Sequence, residues 1–437
     1  MTHVVLDKRA LNSHPCVLMR TTVCLLSAFS VAVSAQQPPA VHLIANASAT
    51  SKQMLGFAAA VRELPGGRVL VNDITKRQLV MLDPSLAVAT IVADSASGGA
   101  NAYGPSAGAI IGYQGDSTLF IDPRDLSMFV IGPAGNIARV AAVPRSQDAA
   151  MMGSNVVGSP AVDAKGRLVY RAGFPRMMSR MDHGGTMAPP EFPDSAAIVR
   201  VDLASRKVDT AAYYKIAKLK MVVAQSEKGI SMTTEINPMP IVDDWGVMAD
   251  GSVAIVRGRD YHVDWLNPDD VMSASPKIPF DWQRLTDEDK VATLDSAKAQ
   301  MERSRANPSA SAGEPPGNRV MINMSVSGDG AARSVTTAAG AAPAMNFVSP
   351  SELPDYRPAF SQGAVKPDLD NNLWIRTSST RSGSLAGPIY DVLNRRGELV
   401  DRVQVPAGRT IVGFGKGGTV YMMARDDHGG WIEKTHR

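Results

Sequence analysis

The chain has 437 residues, with 45 Lys and Arg against 42 Asp and Glu, a net charge of +3, and 44% hydrophobic and 20% charged residues. That length admits one large domain or two to three smaller ones at ~100–200 residues each. The near-balance of charge excludes a dedicated nucleic-acid binder, which needs a basic surplus to displace counterions. Beyond residue 40 no apolar run is long enough to span a bilayer, and 37 Gly with 29 Pro against 5% aromatics point to a turn-rich fold.

Residues 19–35 place Arg20 before an apolar run from Val23 to Val33, followed by Val33-Ser34-Ala35 and Gln36. A positive end, a short apolar core and a small-residue exit describe a secretory signal peptide over 1–35, with Met19 as an alternative start. Cys16 and Cys24 lie within it. Cleavage would leave a chain without a disulfide, a thiolate nucleophile or a cysteine metal site. The expectation is an exported protein, periplasmic or extracellular.

From residue 66 onward one unit recurs: a polar turn, an apolar strand, a short gap and a second strand. GGRVLVND and RQLVMLDP (66–84) are followed by GDSTLFID and LSMFVIGP (115–133), then by KGRLVYRAG and AAIVRVDL (165–203). DGSVAIVRG and DYHVDWLNP (250–268), DNNLWIRTS and GPIYDVLNR (370–395), and KGGTVYMMA and GGWIEKT (416–435) complete the series. β-branched, leucine and aromatic runs bounded by Gly, Asp or Asn are strand-and-hairpin chemistry. The turn positions Gly67, Asp116 and Gly166 follow one another at about fifty residues, as do Asn371 and Gly418, which matches the ~40–50 residues of a four-stranded propeller blade. The longer steps at Gly251 read as the same unit with insertions. The expected fold is all-β, a six-bladed β-propeller over 41–437. The last copy runs out of chain near Glu433, so the isolated strand VHLIAN (41–46) is expected to supply its outer strand and close the ring.

LPGGRVLV (64–71), DWGVMADGSVAIVRG (244–258), DLDNNLWIRT (368–377) and VGFGKGGTVYM (412–422) resemble the bacterial six-bladed propellers of the NHL and TolB-like type. The resemblance spans nearly all of the chain after the leader. It rests on turn-and-strand motifs, and it implies a fold that hosts scaffolds, ligand binders, lactonases and lyases alike.

In such a blade, with strands A to D, the A–B and C–D turns lie on one rim; the B–C loops and D-to-A crossings lie on the other. The first kind reads as short throughout. The long segments 172–195, 216–241 and 280–360 are all of the second kind, which gathers the loops that carry function on one face. The insertion 281–360 is expected to contain a helix over 286–305, capped at Thr286-Asp287-Glu288-Asp289, with an apolar stripe of Val291, Leu294, Ala297 and Met301. Residues 306–346, rich in Ala, Ser, Gly and Pro, read as a flexible loop.

Arg257, Asp260, His262 and Asp264 cluster where the fourth unit turns from strand B into strand C. They read either as a His–Asp network between blades or as ligand contacts at the channel mouth. Met177, Met181, His183 and Met187 combine thioethers and an imidazole, the donor set for copper, with apolar anchoring as the plainer reading. Asp368–Asn372 reads as a hairpin turn rather than a calcium loop, because Leu373 and Ser379 stand where Gly and an acidic ligand are needed. Asp426-Asp427-His428 reads as a loop on the loop-rich rim. There is no G-x-S-x-G, H-E-x-x-H, P-loop or dinucleotide fingerprint.

The leading expectation is therefore a monomeric exported propeller that binds a small molecule or protein partner through its loop-rich face, without catalysis. The rival is a hydrolase, lactonase or lyase with a divalent metal in the central channel, and copper binding by residues 177–187 is a lesser alternative.

Overall fold

A computed structural model describes residues 38–96, 102–154, 156–173, 192–226, 229–306, 345–379 and 387–437. The expected signal peptide, the Met/His segment Met177–Met187 and nearly all of the expected flexible loop lie outside the described residues. Short, mostly apolar strands joined by tight turns pair with their sequence neighbours into antiparallel meanders. Sheet I comprises Ala58–Glu63, Val69–Asp73, Gln78–Leu82 and Ala89–Asp94; sheet II comprises Ala109–Gly112, Thr118–Asp122, Ser127–Ile131 and Ile137–Ala142. Sheet III takes Ala161–Val162, Leu168–Arg171, Ser195–Val201 and Val208–Lys215, and sheet IV takes Asp244–Val247, Val253–Arg257, His262–Leu266 and Met272–Ala274. Sheet V takes Phe360–Pro367, Leu373–Thr377, Ile389–Leu393 and Leu399–Gln404, and sheet VI takes Arg409–Phe414, Thr419–Asp426 and Gly429–His436.

Second strands such as Val69–Asp73 and Thr118–Asp122 are buried at every residue, as strands covered on both faces must be. Alternate side chains then serve different neighbours. In sheet IV, Val253 and Ile255 join Val169, Ile198 and Tyr214 of sheet III, whereas Ala254 and Val256 join Phe360, Leu373 and Ile375 of sheet V. The same holds around the molecule. Sheets I and II share a core around Leu70 and Phe120, sheets II and III one around Ile121 and Tyr170, and sheets V and VI one around Trp374 and Val420. A core containing Val71, Val412 and Tyr421 joins sheet VI back to sheet I. Radial sheets joined face to face in a closed series make the fold a β-propeller.

The tight turns follow one chemistry. All six positions at which the sequence repeat was aligned are left-handed: Gly67, Gly166, Gly251 and Gly418, and also Asp116 and Asn371, with φ between 59° and 82°. Asn and Asp are the non-glycine residues that tolerate this region best. The Asp368 carboxylate accepts the Asp370 and Asn372 N–H groups (2.9 and 2.7 Å), Asn372 Nδ2 (2.9 Å) and Trp374 Nε1 (3.0 Å). It is committed to holding a hairpin turn.

Closure corrects the expectation for residues 41–46. Val41–Leu43 pairs parallel with Arg402–Gln404 and adds a fifth strand to sheet V. The outer strand of sheet VI is Ala49–Thr50, antiparallel to Glu433–Lys434, extended by Ser48 N–H to Lys434 O (2.7 Å) and Ser51 N–H to Ile432 O (2.8 Å). The apolar run was a misleading signal because an outer strand is held by main-chain bonds, not by burial. Apart from Ile44 in the core between sheets V and VI and Leu55 in the core between sheets VI and I, few side chains here need to be apolar. Ser51→Ala removes the acceptor of the buried Ile432 N–H (2.9 Å). In urea denaturation it should cost about 1–3 kcal/mol. His42→Ala, which breaks an exposed contact with Asp401, should fall within about 0.5 kcal/mol of the parent.

All long connections among the described residues are of the B–C or D-to-A kind: 172–194, 216–243, 275–359 and 378–388. In the third of these, a helix over Asp287–Ala306 starts at a reciprocal cap between Thr286 and Asp289 (N–H to Oδ2 2.9 Å, N–H to Oγ1 3.2 Å). Its covered face keeps Leu294, with Ala297 and Met301 half-buried, and departs from the expected stripe at Val291. Lys290 and Leu294 are buried, whereas Val291 is exposed. Leu294 packs on Val348 and Leu353, and Lys290 reaches Asp355 (2.9 Å). Lys290 thus takes the inner-face place expected of Val291. Lys220–Ser226, Gly229–Ile236 and Met345–Phe347 form a separate three-stranded sheet on these excursions. No helix among the described residues is long and apolar enough to cross a membrane.

A cationic cavity in the central channel

The first strand of each sheet lines the axis. The stretches that enter these strands from the D-to-A side converge on a cavity of about 320 Å³. Its wall includes Phe57 and Ala59 of sheet I, Gly108 and Ala109 of sheet II, Gln362 and Gly363 of sheet V, and Thr410 and Ile411 of sheet VI. Ile74 and Pro123, which directly follow second strands, belong to the same end of the molecule. A short helix α1, Ala149–Met152, contributes Ala149 and Ala150 from the crossing between sheets II and III. The cavity thus lies at the loop-rich end, and most of its wall is small or apolar.

A break in sheet V shapes one side. Phe360 pairs with Thr377 and Val365 with Ile375, so residues 361–364 bulge opposite Arg376. Gly363 supplies the left-handed residue this requires (φ 77°). Gln362 and Gly363 of the bulge line the cavity together with Lys366, Arg376 and Tyr390.

Lys366 and Arg376 are both partly accessible, and among the described residues neither side chain has a hydrogen-bond or ion-pair partner. Burial pushes the Lys366 ammonium down to about 8, Arg376 adds to the shift, and Asp244 opposes it. Asp244 is a weak counter-ion. It is fully buried, one oxygen accepts the Val365 N–H (2.9 Å), and burial outweighs its backbone bonds to push the carboxyl up to about 7. Burial likewise raises the Tyr390 phenol, so it adds no charge at neutral pH. Nothing in the sequence repeat singled out Lys366 or Arg376. The available signal was Gly363 inside a strand pattern, a mark of a bulge.

The expected site residues come together, but away from this cavity. Arg257 Nε donates to Asp264 Oδ2 (2.7 Å), and Nη1 donates to Asp243 Oδ2 (2.8 Å) and Tyr213 O (3.4 Å). His262 Nδ1 lies 2.8 Å from Asp260 Oδ1, and Nε2 lies 3.2 Å from Asp264 Oδ1. Asp243 also accepts the Lys215 and Gly258 N–H groups (2.9 and 3.1 Å). The cluster therefore ties sheet III to sheet IV at the loop-rich rim, and a ligand reaching Arg257 would have to displace a carboxylate. Asp426 closes its turn by accepting the His428 N–H (2.8 Å). Among the described residues no three of His, Cys, Asp and Glu converge as metal ligands.

No protein-family model matches the chain, and no curated protein matches it by sequence. Solved structures do align along it. A DUF4221-family protein from Bacteroides vulgatus is 10% identical over 91% of this chain and 96% of its own, with a TM-score of 0.43. A putative exported protein from Bacteroides fragilis is 8% identical over 92% and 95% (TM-score 0.41), and virginiamycin B lyase from Staphylococcus aureus is 10% identical over 89% and 98% (TM-score 0.38). At these values the likeness adds nothing to what the sheet topology establishes.

Proposed function

We propose that the chain is an exported six-bladed propeller of NHL- or TolB-like type that binds a small ligand in the cavity at the loop-rich end of its channel, without catalysis. One observation carries this reading: the cavity lies at the B–C and D-to-A end of the sheets, the end from which the long connections leave. Its volume of about 320 Å³ falls within the range of ligand pockets, and an apolar wall with a few polar groups is their usual make-up. The Arg257, Asp260, His262 and Asp264 cluster stays, in this proposal, a rim contact for a larger ligand or partner.

Ala150 is exposed on the cavity wall, so Ala150→Trp should fill the mouth without entering a core. In thermal-shift screening of a small-molecule library, compounds that raise the melting temperature of the parent by a few degrees should lose that effect in the variant. Hits indifferent to Ala150→Trp but lost in Arg257→Ala would move the site to the rim. Turnover in a lactone and ester hydrolysis screen would overturn the non-catalytic reading.

A further inference from the structure

We infer that the cavity's ligand is an organic anion, with a carboxylate seated between Lys366 and Arg376 and an apolar body against Ala109, Ala150, Ile411 and Val412. This rests on the cavity being the ligand site. Two like charges facing one apolar space without a bonded counter-ion are costly, and Arg376 has no neutral form to retreat to. The Asp244 carboxyl is committed to the Val365 N–H, and its other oxygen has no hydrogen-bond partner among the described residues. An incoming carboxylate would offset the charge left without a bonded counter-ion among the described residues, and charge-assisted bonds to Lys and Arg are the strong ones. The rest of the wall offers few hydrogen-bond donors, chiefly Gln362, Thr410 and Ser154. That suits one anionic group on an apolar body better than a heavily hydrated dianion.

The pH dependence follows. The groups facing Lys366 are Arg376, which stays charged, Tyr390, which stays neutral, and Asp244, which carries its charge above about pH 7. A carboxylate favours charged Lys366, so its affinity should be highest below pH 7. It should then fall as Asp244 charges and as Lys366 loses its proton near pH 8. Binding should in turn raise the Lys366 pKa.

The test is calorimetric titration of the whole chain with benzoate, benzamide, benzylamine and inorganic phosphate at pH 6.5 and 9. Benzoate should bind about 10- to 100-fold more tightly than benzamide. Lys366→Met and Arg376→Met should each remove most of that margin while weakening benzamide far less, and Lys366→Arg should retain it and lose the Lys366 share of the fall between pH 6.5 and 9, leaving only the share due to Asp244. Circular dichroism of each variant reports folding. Equal affinity for benzamide or benzylamine, lost in Ala150→Trp, would overturn the anion inference and leave the cavity reading intact. Phosphate binding as tightly as benzoate would overturn the organic class. Benzoate binding that survives Ala150→Trp would overturn the cavity reading itself.

Discussion

Asp73→Ala should lower the free energy of unfolding by about 3–5 kcal/mol, the range for breaking a buried charged network. Asp73 is fully buried at the end of the second strand of sheet I. Its carboxylate accepts four main-chain N–H groups: Gly56 (2.7 Å), Phe57 (3.1 Å), Thr75 (3.2 Å) and Lys76 (3.0 Å). Two of these lie in the crossing that enters sheet I and two in the turn that leaves its second strand. One side chain therefore fixes both loop classes of the loop-rich rim. Alanine strands four donors, each worth roughly 1–3 kcal/mol where water cannot replace the acceptor. Asp122 repeats the device in sheet II, accepting Gly104, Arg124 and Asp125 N–H groups (2.9, 3.0 and 3.1 Å). Asp83, a half-buried tight-turn residue, supplies the control, and Asp83→Ala should cost much less than Asp73→Ala by urea denaturation. Equal costs for Asp73→Ala and Asp83→Ala would show that the rim carboxylates are ordinary turn residues.

Asp391→Ala should cost a comparable 3–5 kcal/mol. Asp391 is fully buried in sheet V, accepting Tyr261 Oη–H (2.9 Å) from sheet IV and Arg402 Nε–H (3.0 Å) from its own sheet. Burial raises the Asp391 carboxyl in spite of Arg402, so the pair is closer to break-even than its geometry suggests. Truncation is costly for another reason: it leaves a phenol and a guanidinium without their acceptor. Tyr261→Phe removes only one neutral donor and should cost about 1–2 kcal/mol. If Tyr261→Phe were as damaging as Asp391→Ala, packing rather than the hydrogen-bond network would hold this seam.

Both carboxylates illustrate what the sequence discloses. Strand runs such as RLVMLD-type segments and the Gly, Asp and Asn turn residues are local signals, and the six turn positions are all left-handed as turn chemistry requires. The helix at 286–305 was legible from its cap and acidic first turn, and its stripe fails only at Val291, where Lys290 is the buried residue instead. Closure by the N-terminal segment was legible from the last repeat, which runs out of chain; the residues that supply the strand were not, because main-chain pairing of Ala49–Thr50 leaves no apolar trace. The rim cluster was visible because Arg257 to Asp264 are adjacent in sequence. Lys366 and Arg376 were not, since their shared cavity depends on a bulge at 361–364 and on walls contributed by residues as distant as Phe57 and Thr410. No spacing in one chain encodes that convergence.

The most direct measurement is an anomalous difference map from crystals of the protein soaked in 4-bromobenzoate. The expected result is a bromine peak inside the cavity between Ala109, Ala150 and Ile411, with the carboxylate within hydrogen-bond reach of Lys366 and Arg376. An empty cavity with bromine only at the Arg257–Asp264 rim, or on the tight-turn face, would contradict it.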